Sequence, residues 1–142
     1  MKAWYQSCNN ALTSREMLAM FTTVLISLCS FFQSQVTIVK DNGETAQLTN
    51  LSFYQKKDSS TKTTLSYFGT DGNKSIDISQ LKRINFKELI SRNKGVQRWN
   101  VILVTKSNAK HDVEMDLVQV EGIDAQGKQE AIGAGSIDKI TL

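Results

Sequence analysis

One apolar pattern occurs twice in this chain and limits what the chain can fold into. Residues 76–86 read IDISQLKRINF and residues 132–142 read IGAGSIDKITL, so both follow I-x-x-x-x-[LI]-x-[KR]-I-x-[FL] without a gap. Short apolar runs of this kind are typical of β-strands. The recurrence predicts two related β-units, and we expect them to pack together because neither is long enough to bury a large core alone.

The fronts of the two units match as well. A β-branched run begins at Val36 and a similar run begins at Val101, and a turn residue follows each first valine after seven positions. Those turn residues are Gly43 and Asn108, which are of the types that most readily accept a positive φ. The offset between units is 65 at the front (36 to 101) and 56 at the rear (76 to 132). The polar stretch 55–63, QKKDSSTKT, accounts for the difference and is predicted to be a loop insertion in the first unit.

The rest of the chain beyond residue 35 has the same character. It contains no proline, and its eight glycines together with Asn and Asp must therefore form the turns. Apolar and charged residues alternate clearly in 112–117, DVEMDL, as expected for a strand with one buried face. The spacing predicts an all-β domain over 36–142, with roughly eight to ten short strands in a small barrel or a sandwich. Its units are 36–86 and 99–142, and the basic joint 87–98 is expected to hold a helical turn around 88–92.

The N-terminal 35 residues have a different composition. Residues 17–32, MLAMFTTVLISLCSFF, carry no charge and follow a polar segment with two cations, Lys2 and Arg15. This order predicts a secretory signal peptide or, if it is not cleaved, an N-terminal membrane anchor. Packing of this stretch on the domain and a lipidated Cys29 are the alternatives. The expected location of the domain is therefore outside the cytoplasm, either periplasmic or extracellular, or facing outward from a membrane.

Charge and cysteine usage narrow the function. The net charge of +3 is not the footprint of a nucleic-acid-binding protein. It is unevenly distributed: 36–98 contains eleven Lys and Arg against six Asp and Glu, whereas 99–142 contains four against seven. Both cysteines, Cys8 and Cys29, lie in the N-terminal segment, so neither a disulfide framework nor a cysteine-based metal site is expected in the β domain.

No catalytic motif is present in the sequence. His111 is the only histidine and is interpreted as a solvent-exposed turn residue, and no Ser, Cys and His pattern typical of nucleophilic catalysis occurs. Asp112, Glu114 and Asp116 would project from one face of a strand, about 6–7 Å apart, which is too far to hold one calcium ion together. We expect no cofactor and no metal. A hydrolase that uses Asp77 with another carboxylate is a remote alternative.

The candidate binding residues are the cations of the first unit: Lys56, Lys57, Lys62, Lys82 and Arg83. Aromatic residues lie nearby in sequence, at Tyr54, Tyr67 and Phe68, where they could stack on a sugar or a nucleotide. The sequence thus predicts an exported or membrane-anchored, non-catalytic binding or adaptor module of the cell envelope. Its partner would be another protein, bound through strand edges or the basic first unit, and the chain could also self-associate. The alternative is a binder of a small anionic or carbohydrate ligand.

Overall fold

The described residues form β-strands connected by short turns. A computed structural model describes residues 34–142, so the predicted signal or anchor at 17–32 lies outside the described residues. The strands are β1 Val36–Lys40, β2 Thr45–Lys56, β3 Ser59–Thr61, β4 Thr64–Gly69, β5 Gly72–Asp77, β6 Leu81–Asn93, β7 Val96–Thr105, β8 Lys110–Leu117, β9 Gln119–Ile123, β10 Gln129–Gly133 and β11 Ile137–Thr141. Two 3₁₀ turns, Ile78–Gln80 and Ala134–Ser136, precede β6 and β11. The predicted all-β class is confirmed.

All strand pairs are antiparallel, and the strands form one sheet. Its order is β10-β9-β2-β1-β11-β6-β7-β8-β4-β5, and β3 pairs with β2 beside this path. Strands β8 and β9 lie far apart in that order, yet only Val118 separates them along the chain. The sheet must therefore curl so that one nearly continuous segment can pair with β7 at one end and with β2 at the other. The result is a curled antiparallel half-barrel.

The core lies inside the curl and is formed by alternate residues of the strands. Its members are fully or almost fully buried, and they are Val36, Ile38, Leu48, Leu51, Phe53, Leu65, Leu81, Ile84, Phe86, Val101, Leu103, Met115, Leu117, Val120, Ile132, Ala134, Ile137 and Ile140. In β8 the predicted alternation is confirmed, since Met115 and Leu117 point inward while Asp112 is exposed. Burial of these side chains is the main favourable contribution to folding.

One apparent exception to the alternation in β2 has a local cause. Leu48 and Leu51 are both buried although they are three positions apart, an odd number that would place them on opposite faces of a regular strand. The β2–β9 pairing has an irregularity between Thr49 and Ser52, and Asn50 within it has a φ of 54°. A bulge adds one residue on one strand and so restores the inward direction of the next side chain.

The predicted turns have the predicted backbone conformation. Gly43 has a φ of 85° and Asn108 has a φ of 65°, and each closes the turn that follows a Val-rich strand. In both turns this residue donates its backbone N–H to the carbonyl three positions earlier, on Lys40 at 3.0 Å and on Thr105 at 2.9 Å. Gly and Asn tolerate this left-handed conformation at low cost.

Two local predictions were wrong. The stretch 55–63 is not a loop: β2 continues to Lys56 and turns back into β3, which pairs with it. The joint 87–98 holds no helical turn, because β6 remains paired with β7 as far as the pair Asn93↔Val96. In both places polar residues form an exposed hairpin whose backbone groups are satisfied by the ladder, and polarity alone does not distinguish such a hairpin from a loop or a helical turn.

Candidate functional site

A cleft with a volume of about 560 Å³ lies beside the β2–β3 hairpin. We call it the hairpin cleft. One side is formed by the hairpin and the other by β4 and β5, and Asp116 of β8 also lines the cleft. Its lining residues are Gln55, Lys56, Ser59, Ser60, Thr61, Thr64, Ser66, Tyr67, Phe68, Asn73, Lys74, Ser75 and Asp116. Hydroxyl and carboxamide groups predominate, so the cleft is suited to a ligand that both donates and accepts hydrogen bonds.

The side chain of Gln55 connects three strands at this cleft. Its carboxamide nitrogen donates to the backbone carbonyl of Ser66 on β4 at 2.6 Å and to that of Asp116 on β8 at 3.2 Å. Its carboxamide oxygen accepts the backbone N–H of Ser66 at 2.8 Å. Gln55 therefore satisfies backbone groups of β4 and β8 at a level where these strands do not pair directly, since their only ladder pair is Phe68↔Glu114.

Two lining residues of the cleft, Asp116 and Phe68, contact Arg98. Arg98 donates from Nε and Nη2 to the two carboxylate oxygens of Asp116 at 2.8 and 3.1 Å. Its guanidinium carbon lies 4.1 Å from the centroid of the Phe68 ring, a cation–π contact. The hydrogen bonds to Asp116 are the main reason that the pKa of the Arg98 guanidinium is raised, with smaller electrostatic contributions from Asp116 and Glu114. The negative charge of Asp116 is thus balanced by Arg98, and the two hydrogen bonds hold its carboxylate in a fixed orientation.

The five predicted cations do not lie in one place. Lys56 lines the hairpin cleft, and Lys57 is exposed on the adjoining turn. Lys62 donates to Oδ1 of Asn50 at 2.8 Å and faces a different cleft. Lys82 and Arg83 lie on β6 and belong to neither lining. The first unit therefore offers two or three cations around the hairpin and a separate pair on β6.

The pair on β6 is engaged with its own neighbourhood. Lys82 donates to Oδ1 of Asn108 at 3.2 Å, in the turn between β7 and β8. Arg83 is half-buried between Thr141 of β11 and Val104 of β7, and its Nε is a buried atom without a hydrogen-bond partner in the structure. Val104, the partner of Arg83 in the β6–β7 ladder, is buried.

A second cleft lies on the other side of the hairpin, with a volume of about 360 Å³. Lys62, Ser52 and Glu121 are among its lining residues. The Glu121 carboxylate accepts hydrogen bonds from the hydroxyl of Tyr54 at 3.0 Å and from the carboxamides of Gln119 and Gln129 at 2.6 and 3.2 Å. Three neutral donors thus orient this carboxylate, and the predicted aromatic residue Tyr54 contributes to this orientation instead of offering a stacking surface.

The remaining candidates have structural partners. Asp77 accepts the backbone N–H of Ser79 at 2.8 Å and caps the 3₁₀ turn before β6. The hydrogen bonds from the hydroxyl and the backbone of Ser79 lower the pKa of its carboxyl group. Asp112 pairs with Lys87 at 2.9 Å, and His111 is exposed at the start of β8. Within residues 34–142, no group of three or more His, Cys, Asp or Glu side chains is arranged to hold a metal ion.

The sequence indicates some residues of the hairpin cleft as candidates but does not indicate that they form a cleft. Lys56 and Phe68 were candidates, but Gln55, Ser66 and Asp116 were not. Gln55 and Asp116 are 61 positions apart, and their contact arises only because β2, β4 and β8 converge in the sheet. The one available signal was the density of Ser and Thr between residues 59 and 66, SSTKTTLS, which matches the hydroxyl-rich lining.

Among residues 34–142, no helix has the length and apolar character needed to cross a membrane. Comparison of the chain with family models, with curated proteins and with solved structures finds no match to any of them.

Proposed function

We propose that residues 34–142 form a non-catalytic binding domain that contacts its partner through the hairpin cleft. The observation that carries this proposal is the lining of the cleft, in which hydroxyl and carboxamide groups predominate, and its volume of about 560 Å³ lies in the range of known ligand sites, roughly 300–1,000 Å³. Its charged groups support binding more than catalysis, because Asp116 is held by Arg98 and Lys74 pairs with Asp71 at 3.1 Å. The domain acts as an adaptor that recognises another protein.

The alternative is a carbohydrate or a small anion in the same cleft. The hydroxyl and carboxamide lining supports a sugar, and Lys56 on one side supports an anion. The two hypotheses differ in the class of ligand, which is a protein in the first and a sugar or an anion in the second. Pull-down with chemical cross-linking would capture a protein partner, whereas a sugar or an anion would raise the thermal unfolding temperature, with a stabilisation that follows RT ln(1 + [L]/Kd).

One variant pair tests the site in either case. Ser75→Trp places a large ring on the cleft side of β5, and we expect it to abolish binding of whatever the domain recognises. The matched control is Thr141→Trp, a substitution at an exposed strand position on β11, outside the cleft lining. Equal binding by both variants and the unmodified chain would show that the cleft is not the site.

We also propose that the chain is exported or anchored by residues 17–32. This proposal is supported by the uncharged stretch and the polar, basic segment before it. Intact-mass measurement of the protein from separated cell fractions tests it. A soluble exported species that begins near Ser34 indicates a cleaved signal, and a full-length species in the membrane indicates an anchor. A full-length species in the cytosol would contradict both.

The third proposal is that 36–86 and 99–142 are two copies of one β-unit. Support comes from strand register: adding 65 to the β1 positions and subtracting 56 from the β11 positions converts each of the four β1–β11 pairs into a β7–β6 pair. For example, Ile38↔Ile140 becomes Leu103↔Ile84. All four β1–β2 pairs become β7–β8 pairs at the same offset of 65.

The correspondence continues through the second half of each unit. Five β4–β5 pairs become β9–β10 pairs at offsets of 55 and 56, and the 3₁₀ turns 78–80 and 134–136 are also 56 positions apart. The offset decreases from 65 in β2 to 55 in β4, so the first unit carries ten extra residues there, which form the end of β2 and β3. Deletion of 54–63 should leave a cooperatively folding domain without the hairpin cleft. An unfolded product would contradict the repeat.

A further inference from the structure

We propose that the hairpin cleft accepts an extended peptide segment of a partner protein, which adds to strand β4 in place of the Gln55 carboxamide. The inference rests on the proposed binding function of the cleft and specifies the chemistry of the ligand. It is drawn from the junction between β4 and β8, which we call the first seam, and from its counterpart between β9 and β2, which we call the second seam.

The two seams correspond in register but differ in how far they are closed. The first seam has one ladder pair, Phe68↔Glu114, and the same offsets convert this pair into Thr49↔Ile123 of the second seam. The second seam then continues through Ser52↔Glu121 and two further pairs. In the first seam the strands separate after the single pair, and direct pairing between β4 and β8 stops.

The Gln55 carboxamide lies at the point where that pairing stops. It accepts the N–H of Ser66 at 2.8 Å and donates to the carbonyl of the same residue at 2.6 Å. Two residues opposite each other in an antiparallel ladder exchange both of these bonds in the hydrogen-bonded type of pair. A side-chain amide thus takes the part that the backbone of a neighbouring strand would take, and it also donates to Asp116 of β8 at 3.2 Å.

Side-chain size differs at one matched position of the two seams. A Cβ atom on Gly122 of β9 would lie 2.8 Å from Cβ of Leu48 and 3.0 Å from the carbonyl oxygen of Thr49, so only glycine permits this approach. At the offset of 55, the position of Gly122 corresponds to Tyr67 of β4. Tyr67 is partly buried and packs against the core. The close approach at the second seam thus requires glycine, and the first seam has tyrosine at the corresponding position.

An extended peptide satisfies this site better than other ligands of similar polarity. Ser66 presents a backbone donor and a backbone acceptor side by side along the strand, and one residue of an extended segment matches both through its own N–H and C=O. The cleft floor continues along β4 and β5 as Ser66, Phe68, Asn73 and Ser75, so neighbouring residues of the segment would meet hydroxyl, amide and aromatic groups. Recognition would depend mainly on the peptide backbone, with Lys56 on the hairpin side favouring an acidic side chain.

Replacement of Gln55 by alanine tests this inference, because the inference predicts that peptide affinity rises and does not fall. Gln55→Ala removes the internal competitor, so an added strand should bind more tightly, by up to about tenfold, since two hydrogen bonds of ordinary strength are released to the ligand. Gln47→Ala is the matched control because Gln47 is an exposed glutamine of the same strand, bonded to Gln35 and outside the cleft. The probe is a displayed library of random short peptides, from which the strongest binders are resynthesised with and without an N-methyl group on each backbone amide.

The expected result has three parts. Selected peptides bind Gln55→Ala more tightly than the unmodified chain or Gln47→Ala, a single N-methyl group near the centre of the peptide abolishes binding, and bound peptide slows hydrogen exchange at the Ser66 amide. Unfolding by denaturant confirms that each variant is folded. Binding that is insensitive to N-methylation, or equal in all three proteins, would overturn the inference.

A glycan array run beside the peptides separates this inference from the proposed function. Glycans that bind the unmodified chain, lose binding in Ser75→Trp and show no gain in Gln55→Ala would retain the cleft as a site and refute the peptide. If no peptide binds the folded protein but cross-linking captures a partner with the unmodified chain and not with Ser75→Trp, the peptide is refuted and the proposed function is retained.

Discussion

Ile84 and Ile140 face each other across the β6–β11 ladder, and both are fully buried. They are also the same position in the repeated sequence pattern, IDISQLKRINF and IGAGSIDKITL. When two equivalent residues pair in antiparallel strands, a two-fold axis relating the strands passes between them. In the proposed two-unit architecture this pair therefore lies on the axis, at the centre of the interface between the units.

Truncation of either isoleucine should lower the free energy of unfolding by a large amount, and the two losses should be similar. We expect Ile84→Ala and Ile140→Ala each to lower the free energy of unfolding by about 2–5 kcal/mol, because each leaves a cavity in the core. The double variant should cost less than the sum of the two, since both cavities share one boundary. Denaturant unfolding measures these values, with Thr141→Ala at an exposed position of the same strand as a control. Strict additivity or strongly unequal costs would contradict this prediction.

Gly122 should be far less tolerant of a side chain than Gly133. Gly122→Ala forces a Cβ to within 2.8 Å of Leu48 and should cost about 1–3 kcal/mol of unfolding free energy. Gly133 has no atom within 4 Å of an added Cβ and an ordinary φ of −65°, so Gly133→Ala should be nearly neutral. Thermal or denaturant unfolding of both variants tests the contrast. Equal effects would mean that the second seam is not as tightly closed as described.

The Asp77 cap should make stability depend on pH in the acid range. Hydrogen bonds from Ser79 lower the pKa of the Asp77 carboxyl group below its ordinary value of 3.8, so the folded state favours the carboxylate. This contribution is fully present above the pKa of the unfolded chain and is lost as the pH falls through the lower pKa of the folded state.

Asp77→Asn isolates that contribution, because asparagine retains an oxygen that can cap the turn but does not titrate. We expect a shallower dependence of unfolding free energy on pH below about pH 4 than in the unmodified chain. Asp138→Asn, at an exposed aspartate of β11, is the control and should not reproduce the change. If Asp77→Asn leaves the dependence of unfolding free energy on pH unchanged, the cap does not have this role.

Arg98 should contribute to the stability of the domain through the geometry of its contacts as well as through its charge. Arg98→Lys keeps the charge but loses the two-point contact with Asp116 and the planar contact with Phe68. The pair is partly exposed, with 36% and 27% of the side chains accessible, so we expect a loss of only about 1 kcal/mol. Lys87→Met, which breaks the more exposed pair with Asp112, should change stability by less. Denaturant unfolding at low and high salt compares them, and a larger loss in Lys87→Met would contradict the prediction.

Local features of the fold could be predicted, because they depend on neighbouring residues. The strand alternation in 112–117 and the turns at Gly43 and Asn108 follow directly from side-chain periodicity and from φ preference. The extension of β2 and the β6–β7 hairpin could not be recognised in the same way. Their residues are polar and exposed, and the ladder that defines them depends on strands placed by the rest of the sheet.

The candidate site was harder to predict for a related reason. Lys56 was identified because charge is visible in a sequence, whereas Gln55 is one of several ordinary glutamines. Its importance comes from the separation of β4 and β8, where its carboxamide bonds to backbone groups of both strands. Such a feature depends on where three strands lie in the sheet, which a sequence pattern does not indicate.

The pairing of β1 with β11 has a consequence for the order of folding. The first strand of the sheet obtains one of its two neighbours only from residues 137–141, about 100 positions later. During synthesis β1 and β2 can form a hairpin, but the sheet cannot be completed until β11 has left the ribosome. Contacts this distant in sequence slow folding, because a long loop must close before they form. The nascent domain consequently remains incompletely folded until nearly all of residues 34–142 have been synthesised.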